Sequence, residues 1–342
     1  MREFAIIKAA RLAIANIGTE TGPSAKTEAD YTRKAIRLIG QGEPDAPLVL
    51  ALMADTLKAS TWFSRKASIQ FYARRKIREM LKEQDAIQRR LQETPGNDDL
   101  ADEWSRIVGR LKPWCDLLAA IPSGFPVPPE KREPRHSKRK DLAGLPEDWP
   151  TKILMKQEMY YLPFLTAAVT GCRPEEITKG IEFKIEDGKL TVKIQGAKVT
   201  NTAGQPWRKM EWRLPRDGLV NILATQVRQA GGSLTVHLES PKNFSTNVRD
   251  TARGIWPQRK TDVRPYSLRH QFAANMKASG ASDEDIAKAM GHTTVTTAQY
   301  YGTAKQAKGS SVHPDRVEAT RAVKTKSGKR YVRAVGGKKG GA

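Results

Sequence analysis

Cysteine is nearly absent from this 342-residue chain. Cys115 and Cys172 stand far apart and in no metal-ligand spacing. That usage fits two buried thiols in a reducing cytoplasm rather than a zinc site. The five histidines are scattered singly, so no metal is expected. No apolar run approaches the roughly 20 residues a membrane span needs. The apolar stretch at the start is interrupted by Lys8, Arg11 and Asn16, and no cleavage-site pattern follows it. A G-x-x-x-x-G-K-[ST] phosphate loop is also missing, which leaves ATP dependence without support. Acidic residues are in deficit: 37 Asp+Glu face 59 Lys+Arg, a net charge of +22. Such an excess attracts polyanions, whether DNA, RNA or an anionic membrane surface. A nucleic-acid binder with no membrane association is the class left standing. The 39% hydrophobic content can supply real cores, and the length suits about two domains.

What is present divides the chain. The stretch 121–147, with its prolines and the basic cluster Lys131 to Lys140, blocks regular helix and reads as an interdomain linker near DNA. Before it, 26–120 reads as a helical domain, preceded by an extension over 1–25. Within it, Lys26 to Ile39 and Leu100 to Ala120 carry helical patterns, and Ser60 to Leu91 runs without Gly or Pro. That long helix sets Trp62, Phe63, Ile69, Phe71, Ile77, Met80 and Leu81 toward a core. It leaves Arg65, Lys66, Arg74, Arg75, Lys76 and Arg78 for phosphates, as are Lys138, Arg139 and Lys140 of the linker. After the linker the pattern is mixed. A helix is expected over Lys152 to Thr170, closed by Gly171, and another opens at Arg173-Pro174. Strands are expected over Leu190 to Gln195 and Trp207 to Leu214. Helix returns from Tyr266, with Ser282 as a cap and Gly291 as a stop. The fold class expected is mainly α with a small antiparallel sheet. Residues 306–342 read as a flexible basic tail of net charge +8.

One set of residues suits phosphodiester chemistry. Breaking that bond without losing its energy calls for a nucleophile whose ester can be attacked again, and tyrosine serves. The pentacoordinate phosphorane gathers negative charge, which planar, permanently charged arginines match. The leaving oxygen needs a proton, and a lysine can give it. Arg173 lies in TGCRPEEI, Lys198 in IQGAKV, Arg269 in YSLRHQFAANM, and His292 and Tyr301 in AMGHTTVTTAQYYG.

In this order and spacing the set closely resembles the catalytic domain of the tyrosine recombinases, the phage integrase family. The stretch SLRHQFAANMKASGASDEDIAKAMGHTTVTTAQYY is similar to the family's second signature block without a gap, and Arg173-x-x-Glu176 resembles the first. The resemblance implies a helical core-binding domain followed by a catalytic domain of the DNA breaking-rejoining fold over 148–305. It implies a site-specific recombinase that works through a 3′-phosphotyrosyl intermediate, without metal or ATP, in integration, excision or resolution of a mobile element. Arg173 and Arg269 would clamp the scissile phosphate, Lys198 would be the general acid, His292 would donate to the phosphate, and Tyr301 would attack. Glu176 would support Arg173. The partners implied are double-stranded recombination sites, a homotetramer on DNA and accessory proteins, at the nucleoid. Segments after the nucleophile in this family often dock on a neighbouring protomer, so the tail is expected to regulate assembly; its charge of +8 offers plain DNA affinity as the alternative.

The pattern is broken at one position: the family's usual histidine three residues before the second arginine is here Tyr266. A phenol, with a pKa of about 10, mainly donates a hydrogen bond where an imidazole can shuttle protons. His270 follows Arg269 and, as a helix neighbour, is expected to point elsewhere. Lys198 is preferred to Lys193 as the acid, because it lies in the turn beyond the strand. Tyr301 is preferred to Tyr300, which is expected to pack and anchor the segment. Two rivals share parts of this reading: a type IB topoisomerase, and a DNA-binding protein with degenerate catalysis.

Overall fold

A computed structural model describes residues 2–15, 22–134, 138–307 and 312–325. The chain divides into two compact units, Met1–His136 and Ser137–Ala342.

The first unit is helical: α1 (Arg2–Ala15), α2 (Ala25–Ile39), α3 (Ala46–Ala54), α4 (Ala59–Glu93) and α5 (Asp98–Ala120). Three of these helices start on side chains that accept an orphan backbone N–H, Ser24 for α2, Asp45 for α3 and Asn97 for α5. Along α4, Trp62, Ile69, Ala73, Ile77, Met80, Leu81 and Ile87 fall at helical spacing and are buried. The expected extension 1–25 is not separate. Ile7 and Ala10 of α1 are buried in one cluster with Ile77, Leu81, Val108 and Leu111 of α4 and α5. The expected linker 121–147 is also divided. Phe125 packs against Trp62 at 5.8 Å, and the Glu133 amide donates to Leu57 O at 2.9 Å, so 121–134 belongs to the first unit. Leu142 and Leu145 belong to the core of the second. An apolar side chain in a proline-rich stretch still gains by burial, and a Pro-rich composition says nothing about which side it lies on.

The basic face of α4 is partly committed within the chain. Arg65 donates to Leu52 O at 2.8 Å and Asp55 O at 2.9 Å, closing the end of α3. Lys66 donates to Pro122 O and Ser123 O, and Arg74 donates to Ala13 O near the end of α1. Helix C-termini leave carbonyls that need donors, and these cations supply them. This corrects the expectation that all six face phosphates. Arg75 and Lys76 pair with Glu79. Arg78 and Lys140 are exposed. The side chains of Lys138 and Arg139 lie outside the described residues.

The second unit runs α6 (Trp149–Leu154), α7 (Tyr161–Thr170), α8 (Pro174–Ile177), β1 (Ile181–Glu186), β2 (Lys189–Gln195), β3 (Trp207–Arg213), α9 (Gly218–Gln229), β4 (Ser233–Val236), α10 (Pro241–Ile255), α11 (Pro265–Ala278), α12 (Asp283–Ala289), α13 (Val295–Ala298) and β5 (Arg316–Ala319). The single helix expected over Lys152 to Thr170 is two. Pro163 sits in the first turn of α7, where it cannot donate and its ring would clash with the carbonyl of Met159, so the helix restarts there. The five strands form one antiparallel sheet in the order β4-β1-β2-β3-β5. Alternation puts Leu190, Val192 and Ile194 of β2, and Arg208, Met210 and Trp212 of β3, on the buried face. The helices pack there, with Phe164, Leu223, Phe244, Leu268 and Phe272 in the same core. Gly171 closes α7 at φ 60°, and a Cβ there would fall 2.5 Å from the Phe272 ring. Cys172 is buried as expected and Cys115 half-buried.

The tail is the largest departure. Residues 312–325 fold back on their own unit. β5 pairs with β3 in register Arg208↔Ala319 to Glu211↔Arg316, Val312 and Val323 are buried, and Trp212 donates to Val312 O at 2.9 Å. Their charge suggested solvent, but strand pairing satisfies their backbone at the free edge of β3. The rest of the expected tail, 308–311 and 326–342, lies outside the described residues. No helix among the described residues is long and apolar enough to cross a membrane.

Candidate active site

Three helix ends and one strand converge on a buried carboxylate. Glu176 is fully buried in the first turn of α8. Its Oε2 accepts the backbone N–H of Arg173 at 2.8 Å, and its Oε1 accepts Arg173 Nη1 at 2.8 Å. The same two oxygens take the fork of Arg208 from β3, at 3.2 and 2.8 Å. Burial alone would push this carboxyl up, but the Arg208 charge and hydrogen bonds, then Arg269 and Arg173, hold it well below the usual carboxylate range. Glu176 therefore fixes the helix that carries Arg173 and the direction of its guanidinium together.

Arg269, on α11, is fully buried and makes no ion pair among the described residues. Its Nη1 donates to Gly171 O at 2.6 Å and its Nη2 to Met290 O, the carbonyls of the residues that cap α7 and α12. Nη2 also stands 3.3 Å from His292 Nε2. An arginine has no lone pair to offer, so that imidazole nitrogen accepts and the ring proton sits on Nδ1. Nδ1 is buried with no hydrogen-bond partner among the described residues. Burial, reinforced by Arg269, Arg173 and Arg208, pushes the His292 pKa down to about 2, so the ring is neutral. The glycine before it is required: Gly291 has φ 68°, and a Cβ would come within 3.1 Å of Arg208 Nη1.

Tyr301 closes the set. Its ring lies 5.2 Å from the Arg269 guanidinium, 5.3 Å from His292 and 4.9 Å from His270. Burial raises the phenol's pKa, but the charges and hydrogen bonds of Arg269 and Arg173 outweigh it, and the net direction is down. Tyr266, in the first turn of α11, shares this environment. Burial and Glu175 push its pKa up against the pull of Arg173 and Arg269, so it stays a neutral phenol.

The structure thus brings together Arg173, Glu176, Tyr266, Arg269, His292 and Tyr301. It does not bring in Lys198, which is exposed in the β2–β3 loop with no ion-pair or hydrogen-bond partner among the described residues. Lys193 lies on the exposed face of β2 over the Trp207 ring, at 5.2 Å. Tyr300, expected to pack, is 74% exposed. The short α13 ends at Ala298, so Tyr300 stands in a turn where helical geometry no longer sets its direction. His270, expected to point away, is against the Tyr301 ring, because Tyr301 reaches back over α11. Sequence reasoning missed Arg208. The signal was there: it alternates with Met210 and Trp212 on an inward face, and a cation at such a position needs a buried anion. Among the described residues no cluster of His, Cys, Asp or Glu could hold a metal ion.

Residues 231–308 match the model of the phage integrase family. The matched segment contains Tyr266, Arg269, His292 and Tyr301. The chain is similar to three solved structures at low identity. For the XerA recombinase crystal structure the identity is 13%, over 87% of this chain and 93% of that one, with a TM-score of 0.33. For the XerH site-specific recombinase bound to its difH substrate, the values are 14%, 87%, 92% and 0.34. For the Tn1549 transposon integrase with a circular intermediate DNA, they are 13%, 87%, 95% and 0.39. No curated protein sequence matches. Residues 231–308 are thus similar to the phage integrase family, the tyrosine recombinases, and the structure gathers the arginine, histidine and tyrosine of that segment at one site.

Proposed function

We propose that the chain is a site-specific DNA recombinase in which Tyr301 is the nucleophile and the scissile phosphate is held by Arg173 and Arg269. The observation that carries this reading is the phenol of Tyr301 beside both guanidiniums, with its pKa drawn down by them. The Tyr301 oxygen, its proton lost to water, attacks phosphorus. The bond from phosphorus to the 5′-oxygen breaks, leaving a 3′-phosphotyrosine and a free 5′-hydroxyl. The two arginines take the charge that builds on the non-bridging oxygens, a type of contribution worth about 3 kcal/mol per donor. The Nδ1–H of His292 is a buried donor available to one of those oxygens. Lys198, from its loop, gives the proton that the leaving 5′-oxygen needs. The phosphodiester energy is kept in the phosphotyrosine, so a 5′-hydroxyl can reverse the step without a nucleotide cofactor. Tyr266 serves as a hydrogen-bond donor in place of the usual histidine.

The substrate in this proposal is a pair of double-stranded recombination sites held by a homotetramer, with accessory proteins, in integration, excision or resolution of a mobile element. Arg75, Lys76, Arg78 and Lys140 are candidates for phosphate contacts. Arg173, Arg269, His292 and Tyr301 gathered at one site favour this reading over a degenerate DNA-binding protein. The test is a nicked suicide substrate. Tyr301→Phe should bind DNA normally and form no covalent complex, and Tyr300→Phe should keep the covalent band. A covalent complex in the Tyr301→Phe protein would overturn the assignment.

A further inference from the structure

The loop that carries Lys198 is held by the C-terminal segment of the same chain. Gly196 N–H donates to Pro206 O at 2.9 Å and Thr200 N–H to Ala203 O at 2.9 Å, which closes the loop on itself. Gly204 lets it fold tightly: at φ 77°, a Cβ there would overlap Lys198 O at 2.2 Å. The outer turn then presents three carbonyls to one side chain. Arg321 Nη1 lies 2.9 Å from Thr200 O, 3.2 Å from Ala203 O and 3.0 Å from Gly204 O.

Gln205 extends this contact to the other side of the site. It is buried, and its Nε2 donates to Arg321 O at 2.9 Å and to His292 O at 3.0 Å, while its Oε1 accepts Arg321 N–H at 2.8 Å. Three residues further on, Lys324 N–H donates to Thr293 O at 2.8 Å, at the start of the segment that leads to Tyr301. The stretch Arg321 to Lys324 of the tail therefore touches both the loop bearing the lysine and the segment bearing the nucleophile.

We propose that Arg321 is a positioning residue for proton transfer: by gathering the three loop carbonyls it sets where Lys198 can reach. This rests on the reading of Lys198 as the general acid. A free loop would spread the lysine over many positions. Holding its base limits that spread and leaves the long side chain to swing.

The test uses the full chain and duplex DNA selected by binding from a random-sequence library, with the cleavage position mapped for the unaltered protein. Two nicked substrates are made at that position, one with the ordinary phosphate and one with a 5′-bridging phosphorothiolate, whose sulfur leaves without protonation. Lys198→Ala, Arg321→Ala and Arg321→Lys are compared by rate of covalent complex formation, with DNA affinity and melting recorded for each. Arg321→Ala should lose roughly tenfold or more on the phosphate and less than about threefold on the phosphorothiolate, at unchanged affinity. Arg321→Lys, which keeps a cationic donor, should fall between. An equal loss on both substrates, or no loss on the phosphate, would overturn the proposal for Arg321, including where the variant melts early. Lys198→Ala reports separately. If it is not rescued by the phosphorothiolate, the reading of Lys198 as the acid fails. If it is rescued and Arg321→Ala is not, only the positioning role fails.

Discussion

Removing the charge of Glu176 is the most demanding perturbation of this site. Glu176 and Arg208 are both fully buried, and the carboxylate also anchors Arg173. Glu176→Gln preserves shape and one carbonyl acceptor. It leaves the Arg208 cation without an anion in the core and turns an amide N–H₂ toward a donor. Breaking a buried pair from one side costs about 3–5 kcal/mol. The retained acceptor places this case near the lower end, at about 3 kcal/mol. For a unit of this size, each kcal/mol lowers the melting temperature by roughly 2–4 °C, so the expected fall is about 10 °C. Arg208→Met alone strands Glu176 less severely, because Arg173 remains. The double variant removes both charges and should recover much of the loss, giving a coupling of about 2 kcal/mol in the cycle. Calorimetry at pH 7 on the four proteins measures it. Additive losses, or a Glu176→Gln cost below about 1 kcal/mol, would refute the claim that this carboxylate organises the site. The covalent-complex assay adds a second reading, since Arg173 loses its anchor. The expected drop is about a hundredfold, with DNA affinity largely kept.

Two further outcomes follow from the same geometry. The folded-state pKa of His292 is depressed, so its contribution to stability is present above the unfolded value of about 6.5 and is lost as pH falls toward the folded one. Stability should decline by up to about 1.4 kcal/mol per pH unit between roughly pH 6.5 and 4.5, and urea melts of His292→Asn should show a flatter slope over that window. A chain ending at Gln306 loses β5 and bares the edge of β3, with Val312 and Val323 gone from the core. It should melt several degrees lower even without DNA, whereas an unchanged melt would show that this segment acts only outside its own unit.

The legible parts of the site share one property: their partners are close in sequence. Arg269, His292 and Tyr301 sit within one continuous block, and Arg173 with Glu176 within one turn, so spacing alone brought them together. Glu176 was readable as a support for Arg173, but not as the shared anion of Arg208, which comes from a strand 32 residues away. The helix of α4 was readable from its period. The destination of its cations was not, because Arg65 and Arg74 answer carbonyls at the ends of other helices. The break between α6 and α7 was written in Pro163, yet apolar periodicity on both sides concealed it. The tail misled most. Basic composition argues for solvent, and only the open edge of β3, a tertiary feature, makes 316–319 a strand.

The charge count at the centre of the second unit carries a thermodynamic consequence. Three guanidiniums, Arg173, Arg208 and Arg269, face one carboxylate, Glu176, and Arg269 is held by neutral acceptors, the Gly171 and Met290 carbonyls and the His292 ring. The neutral ring of His292 offsets none of it. The folded chain without DNA thus keeps two uncompensated positive charges largely out of water, and their repulsion acts against the fold. Any anion that enters relieves that repulsion and, by mass action, raises stability in proportion to the logarithm of its concentration over its dissociation constant. On the proposed function, the scissile phosphate would in this sense be a folding ligand as well as a substrate, and the protein without it the less stable of the two states.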